Sequence, residues 1–207
     1  MPSQSATTAV QPQVTDSRIA QLAIAIVLYQ PDLQEFARVL VSLELAVRSF
    51  VARNPGLVEL VLVDNTERQV LESQKTATAE LQQLVASHCP SVKFIMLSPQ
   101  HNLGYGRAHN LALASSSAPY HLILNPDLLL NSDALVNGVS LLKNNPDIAA
   151  LSPFATDGND NNLFLCKSYP SVFDLALRGF EPSFIRKRFA ARLAAYENHT
   201  LAASSQP

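Results

Sequence analysis

Four short runs dominated by apolar residues, separated by segments with helical spacing, leave this 207-residue chain few ways to fold. The runs are Leu22–Tyr29, Val58–Val63, Val92–Leu97 and Tyr120–Leu124. Runs of this length that are apolar on both faces read as strands buried on both sides, and something must cover them. After the first run, Phe36, Val39, Leu40, Leu43 and Val47 recur at helical spacing, which predicts a helix from Leu33 to about Val51 with Asp32 capping its start. Further helices are predicted over 67–87, 103–116 and 133–143, and a short fifth strand over 148–151. Strand and helix in strict alternation describe an α/β fold, a mostly parallel sheet flanked by helices.

Length and charge narrow the class. A chain of 207 residues can bury one sizeable core, and 15 basic against 17 acidic residues give no basic surface for nucleic acid. Cys89 and Cys166 are far apart and fit no metal or redox spacing, so both are read as reduced and part-buried. Residues 1–17 are rich in Ser, Thr, Gln and Pro and are expected to form a disordered tail, as are 198–207, with one domain over 18–197. The first residues lack an apolar signal core and no run approaches the ~18 apolar residues of a membrane span, so a cytoplasmic location is expected.

In open parallel sheets, ligands bind in the crevice beyond the carboxyl ends of the strands. Three clusters fall there: Tyr29-Gln30-Pro31, Asp64-Asn65 and Asn125-Pro126-Asp127. Proline cannot donate to a strand ladder, so Pro126 ends its strand and puts Asp127 just past it. Asp64 and Asp127 can each face a ligand there, or simply cap the next helix or turn. A fourth stretch, His101-Asn-Leu-Gly-Tyr-Gly-Arg-Ala-His-Asn110, starts in glycine and turns helical. Gly104 and Gly106 permit close backbone approach, the helix start offers free N–H groups to a phosphate, and Arg107 can pair with one. It has neither the third glycine of a dinucleotide fingerprint nor the Lys-Ser/Thr ending of a P-loop. His101 and His109 show no metal-ligand spacing with a third partner.

Taken in order, IVLYQPD, VDN at 63–65, HNLGYGRAHN and LILNPD resemble the nucleotide-sugar-dependent glycosyltransferases of family 2, which have the GT-A fold. The later stretch LFLCKSYPSVFDLALRGFEP is similar to the branch that includes bacterial rhamnosyltransferases building surface polysaccharide. The resemblance covers about residues 20–197 and implies a nucleotide-diphospho-sugar donor such as dTDP-rhamnose, with a glycan or lipid-linked acceptor and inversion at the sugar. It implies that Tyr29 lines the nucleotide pocket and that Asp64 contacts the base or ribose. Asn102, Gly104 and Arg107 would wrap the nucleotide and its phosphates. Asn125-Pro126-Asp127 stands where the family often has Asp-x-Asp, so Asp127 would contact a Mg2+ or Mn2+ ion bridging the diphosphate. One carboxylate plus substrate phosphates is a usual way to hold Mg2+.

Inverting members also need a general base, an Asp or Glu in an acidic segment further along the chain. Asp157, Asp160, Asp174, Glu181 and Glu197 do not match that segment, so the catalytic base is unassigned and the chain is expected to lack the C-terminal part. The alternative is therefore a catalytically inactive nucleotide-sugar-binding module. A sugar nucleotidyltransferase would carry a glycine-rich, lysine-bearing loop after the first strand, which LYQPDLQEF is not. In SFIRKRFAARLAAY, residues 183–196, an apolar face opposes four basic residues. It suits either peripheral contact with an anionic membrane at the inner face of the plasma membrane or packing on the domain with a solvated basic face.

Overall fold

The computed structural model describes residues 20–67 and 71–157, with side chains in the second stretch from residue 77. The chain divides into two units, 1–143 and 144–207, and the sheet with its covering helices belongs to the first. The elements are β1 (Ala20–Leu28), α1 (Leu33–Arg53), β2 (Leu57–Asp64), α2 (Leu71–His88), β3 (Lys93–Leu97), α3 (Tyr105–Ala114), β4 (Tyr120–Leu124) and α4 (Ala134–Asn144). The strands form one sheet in the order β3-β2-β1-β4, and each described pairing is parallel. The α/β parallel architecture is therefore as the sequence predicts.

The alternation within β1 sets the two layers. Leu22, Ile24, Ile26 and Leu28 join one buried cluster with Phe36, Leu40, Leu43, Val47 and Phe50 of α1, Leu81 and Val85 of α2, and Leu135 and Val139 of α4. Ala25 and Val27 point the other way and meet Val61, Val63, Ala108 and Ala112, which brings α3 onto the opposite face. Small residues on both sides of that contact allow helix and sheet to approach closely. Handedness accounts for the change of face. The chain moves from β1 to β2 to β3 in one direction and then returns across the sheet to β4. A right-handed crossover on the return must pass over the opposite face.

Asp32 caps α1 as predicted, in extended backbone, with Oδ1 accepting the N–H groups of Gln34 at 2.8 Å and Glu35 at 3.1 Å. Two helix starts and one predicted strand are the main differences from the sequence reading. The helix predicted from residue 67 is described from Leu71, and Asn65 donates its N–H to Leu28 O at 2.8 Å, prolonging strand-like pairing past the end of β2. The helix predicted from 103 begins at Tyr105, since the Leu103 N–H is taken by Asn65 Oδ1 and Gly104 has non-helical φ 74 and ψ 162. No strand forms over 148–151. Ile148 instead donates its N–H to Asn145 O at 3.0 Å, closing a turn.

Among the described residues no helix is long and apolar enough to cross a membrane. The two polar tails, Cys166, the rhamnosyltransferase-like stretch, residues 183–196 and the acidic residues Asp160, Asp174, Glu181 and Glu197 lie outside the described residues.

Candidate functional site at the carboxyl edge of the sheet

The strand order reverses at β1, and the ends of β1 and β4 lie side by side with β2 next to them. This is where open parallel sheets leave a crevice. Four chain segments reach it, and hydrogen bonds tie them together.

Asn65 is the central tie, only 4% exposed. Its Oδ1 accepts the Leu103 N–H at 2.9 Å and its Nδ2 donates to Asn102 Oδ1 at 2.7 Å. Asn102 Oδ1 also accepts the Gly104 N–H at 2.8 Å, so the loop before α3 is held by two amide side chains. On the other side, Gln30 donates its N–H to Thr66 Oγ1 at 2.9 Å, and Thr66 donates its N–H to Asp64 Oδ1 at 3.2 Å. Tyr105 closes the arrangement by donating its hydroxyl proton to Asn125 Oδ1 at 2.8 Å, linking the start of α3 to the end of β4.

Two backbone conformations at this edge are unusual. Gln30, just before Pro31, has φ 47, the left-handed region that costs a non-glycine residue about 1–2 kcal/mol. Its bond to Thr66 helps hold it there. Gly104 has φ 74, and an added Cβ would meet no atom within 4 Å, so the conformation rather than space demands glycine. Gly104 is also the N-cap of α3 and supplies no side-chain cap. The first amide of that helix to find a carbonyl is Ala108, onto Gly104 O at 3.1 Å. The N–H groups of Tyr105, Gly106 and Arg107 are left for an acceptor from outside the helix, at its positive end.

All seven residues singled out by the sequence lie at this edge. Asp64, Asn102, Gly104 and Asn125 enter the hydrogen-bonded ties. Asp64 is 1% exposed at the end of β2, whereas Asn102, Gly104 and Asn125 are open to solvent. Tyr29, Arg107 and Asp127 are exposed and make no hydrogen bond or ion pair with a described residue. Sequence reasoning assigned no role to Asn65, Thr66, Tyr105 or His109. The side-chain partners of Asn65 lie 37 and 38 positions away, so no local pattern announced its role.

His109 lies one turn into α3, 3% exposed, with its ring edge-on to Tyr105 at 4.4 Å between centroids. Burial pushes its pKa below the ordinary histidine value of 6.5, so the imidazole is neutral at pH 7. Among the described residues neither ring nitrogen has a hydrogen-bond partner.

Among the described residues no group of three or more His, Cys, Asp or Glu could hold a metal ion by itself. A hard divalent cation can nonetheless be held by one carboxylate with phosphate oxygens and water. Asp127, exposed and uncommitted in the turn after β4, fits that role. A shallow groove of about 450 Å3 lies elsewhere, beside α1, lined by Ala37, Arg38, Val41, Leu45 and Leu129, and none of the strand-end residues opens into it.

The glycosyl transferase family 2 model matches residues 38–203. No curated protein matches the chain. Among solved structures it is similar to S. aureus TarS 1–349, with 13% identity over 61% of this chain and 33% of that one, at a TM-score of 0.41. It is also similar to the mannosyltransferase PcManGT from Pyrobaculum calidifontis, solved in complex with GDP-Man and Mn2+. That match has 16% identity over 64% of this chain and 36% of that one, at a TM-score of 0.40. The matched part thus spans about a third of the length of these solved chains.

Proposed function

We propose, from the premise that this chain belongs to glycosyl transferase family 2, that its carboxyl-edge crevice binds a nucleotide-diphospho-sugar from which a sugar is transferred, with inversion, to a glycan or lipid-linked acceptor. The observation that carries this reading is the tied set of strand-end loops, which holds an uncapped helix start beside an uncommitted carboxylate. The free amides of Tyr105, Gly106 and Arg107 bind diphosphate oxygens, and the Arg107 guanidinium adds a mobile positive charge. Asn65 and Asn102 keep those amides aimed. Asp64 holds the Thr66 turn and stands at the base or ribose end, and Tyr29 flanks the nucleotide.

A Mg2+ or Mn2+ ion held by Asp127 and the diphosphate would neutralise negative charge on the leaving group. Asp127 would hold such an ion, and the free amides at the start of α3 stabilise charge that grows on the departing oxygens. The resemblance of a later stretch to the rhamnosyltransferase branch supports dTDP-rhamnose as the donor and surface polysaccharide as the product. On this reading the chain works in the cytoplasm, at or near the membrane face where lipid-linked acceptors are found.

Calorimetric titration of the full chain with dTDP, UDP and GDP in the presence of Mn2+ tests donor binding. One of the three is expected to bind, with affinity that drops on chelation of the metal, and no binding to any of them refutes the reading. Asp127→Ala is expected to abolish the metal dependence while leaving the fold intact, because the side chain is exposed and unpaired. Unchanged metal-dependent affinity in that variant removes Asp127 from the role. Incubation with dTDP-rhamnose and assay for released dTDP separate turnover from binding alone.

A further inference from the structure

His109 poses a polar problem that the fold does not solve. A neutral imidazole carries one N–H and one lone pair, and here both nitrogens are buried without a partner among the described residues. Buried polar side-chain atoms in native proteins are paired in the large majority of cases, because an unmade hydrogen bond forfeits the full cost of desolvation. The neighbouring buried positions on α3, Ala108 and Ala112, are apolar and pack without such a cost. By that principle a histidine in this place should lower the stability of the unliganded fold. The exception falls in the second turn of the helix whose start forms the candidate diphosphate site.

Tyr105 is the described residue whose ring is in contact with it. The Tyr105 ring lies against His109 and is itself 57% exposed. Its one hydrogen bond, from the hydroxyl to Asn125 Oδ1, is at the surface, where a single neutral hydrogen bond contributes little net stability. Asn125 leads directly through Pro126 to Asp127. A ligand engaging that turn and the start of α3 therefore contacts both ends of the Tyr105 link.

We propose that His109 is a donor-site residue: a nucleoside diphosphate bound at the start of α3 draws Tyr105 away from Asn125 and supplies the hydrogen-bond partner that the imidazole lacks. The inference rests on the donor-binding reading and adds to it a specific polar contact one turn deeper than the helix start. A phosphate oxygen or hydroxyl accepts from the imidazole N–H, so one of the two buried nitrogens that lack a partner in the empty fold gains one in the complex.

His109→Phe tests this, since it keeps a planar ring against Tyr105 and removes both nitrogens. Thermal unfolding without ligand and calorimetry with Mn2+ plus dTDP, UDP and GDP are measured on the full chain. The expected result is a double change. The unfolding midpoint rises in His109→Phe, while the affinity for the nucleotide that wild type binds most tightly falls at least tenfold. His109→Gln, which restores a donor and an acceptor, recovers part of that affinity. His109→Leu, with a smaller side chain, repeats the test if phenylalanine does not fit. Unchanged affinity in the apolar variants overturns the inference. So does a loss of stability without ligand in both, because the nitrogens would then serve the fold. If wild type binds none of the three nucleotides, the donor reading itself fails. If wild type binds and the variants bind equally well, only the role of His109 fails.

Discussion

Replacing Asn65 by alanine removes the tie on which the site geometry depends. The backbone bond from Asn65 N–H to Leu28 O survives, so the end of β2 stays in place. Two side-chain bonds are lost: Oδ1 no longer accepts the Leu103 N–H, and Nδ2 no longer donates to Asn102 Oδ1. A typical bond of this kind contributes about 1 kcal/mol net, and a part-buried amide left without a partner adds to the loss, so Asn65→Ala should cost about 2–3 kcal/mol. For a domain of this size that lowers the unfolding midpoint by about 5–10 °C. The chain has no tryptophan, so circular dichroism is the natural probe. Nucleotide affinity should fall at least tenfold, or about 1.4 kcal/mol, because the amides at the start of α3 are no longer aimed. Asn102 provides the internal control. Asn102→Ala removes the acceptor for both Asn65 Nδ2 and the Gly104 N–H, and the double variant should be less destabilised than the sum of the two by about 1 kcal/mol. A midpoint for Asn65→Ala within 1 °C of wild type, or strict additivity with Asn102→Ala, would refute the argument that these amides act as one unit.

Two glycines near the tie should respond with opposite signs. Gly104→Ala has room for its Cβ but must hold φ 74, a strain of about 1–3 kcal/mol that should lower the unfolding midpoint and weaken nucleotide binding. Gly106→Ala lies inside α3 with equal room and no unusual φ, and should raise the midpoint by removing about 1 kcal/mol of glycine's helix penalty. Acid stability tests Glu44, which receives bonds from the Ser91 hydroxyl and amide and from Arg48 Nε. Burial pushes its carboxyl up, but the bonds from Ser91 and Arg48 outweigh burial and hold it below 4.5. A carboxylate depressed in the folded state stabilises above its unfolded pKa, and that stability disappears as pH falls from about 4.5 through the folded value. Glu44→Gln should therefore lower stability at pH 7 and flatten the acid limb of the stability–pH curve; an unchanged acid limb rules this out. Burial, together with the negative charge and hydrogen bonding of Glu44, pushes the Cys89 thiol up to about 12. Peptide mapping after iodoacetamide at pH 8 should find Cys89 unmodified in the native chain and alkylated in denaturant.

The sequence by itself determined the class of fold and the edge at which a site would form. Hydrophobic spacing is a local property. The continuous apolar run Leu22–Tyr29 and the helical spacing from Phe36 to Val47 therefore announced a buried strand and a covering helix, and Asp32 announced the start of that helix. Pro126, a strand breaker, located the turn that presents Asp127. The apolar Ile148–Leu151 misled because strand propensity needs a partner strand, and a local turn took the Ile148 N–H first.

Only the tertiary structure decided which of the edge residues act together. Asn65 reaches Asn102 and Leu103 across 37 and 38 positions, Gln30 reaches Thr66 across 36, and Tyr105 reaches Asn125 across 20. Those partnerships depend on the order β3-β2-β1-β4 and on the passage of α3 over the opposite face, neither of which is encoded in the spacing of apolar residues. The same holds for His109. In the sequence it is one histidine of five, and burial against Tyr105 leaves both its nitrogens without partners among the described residues. Local pattern fixes what each segment becomes, whereas the pairing of segments fixes which polar atoms are satisfied and which are left for a ligand.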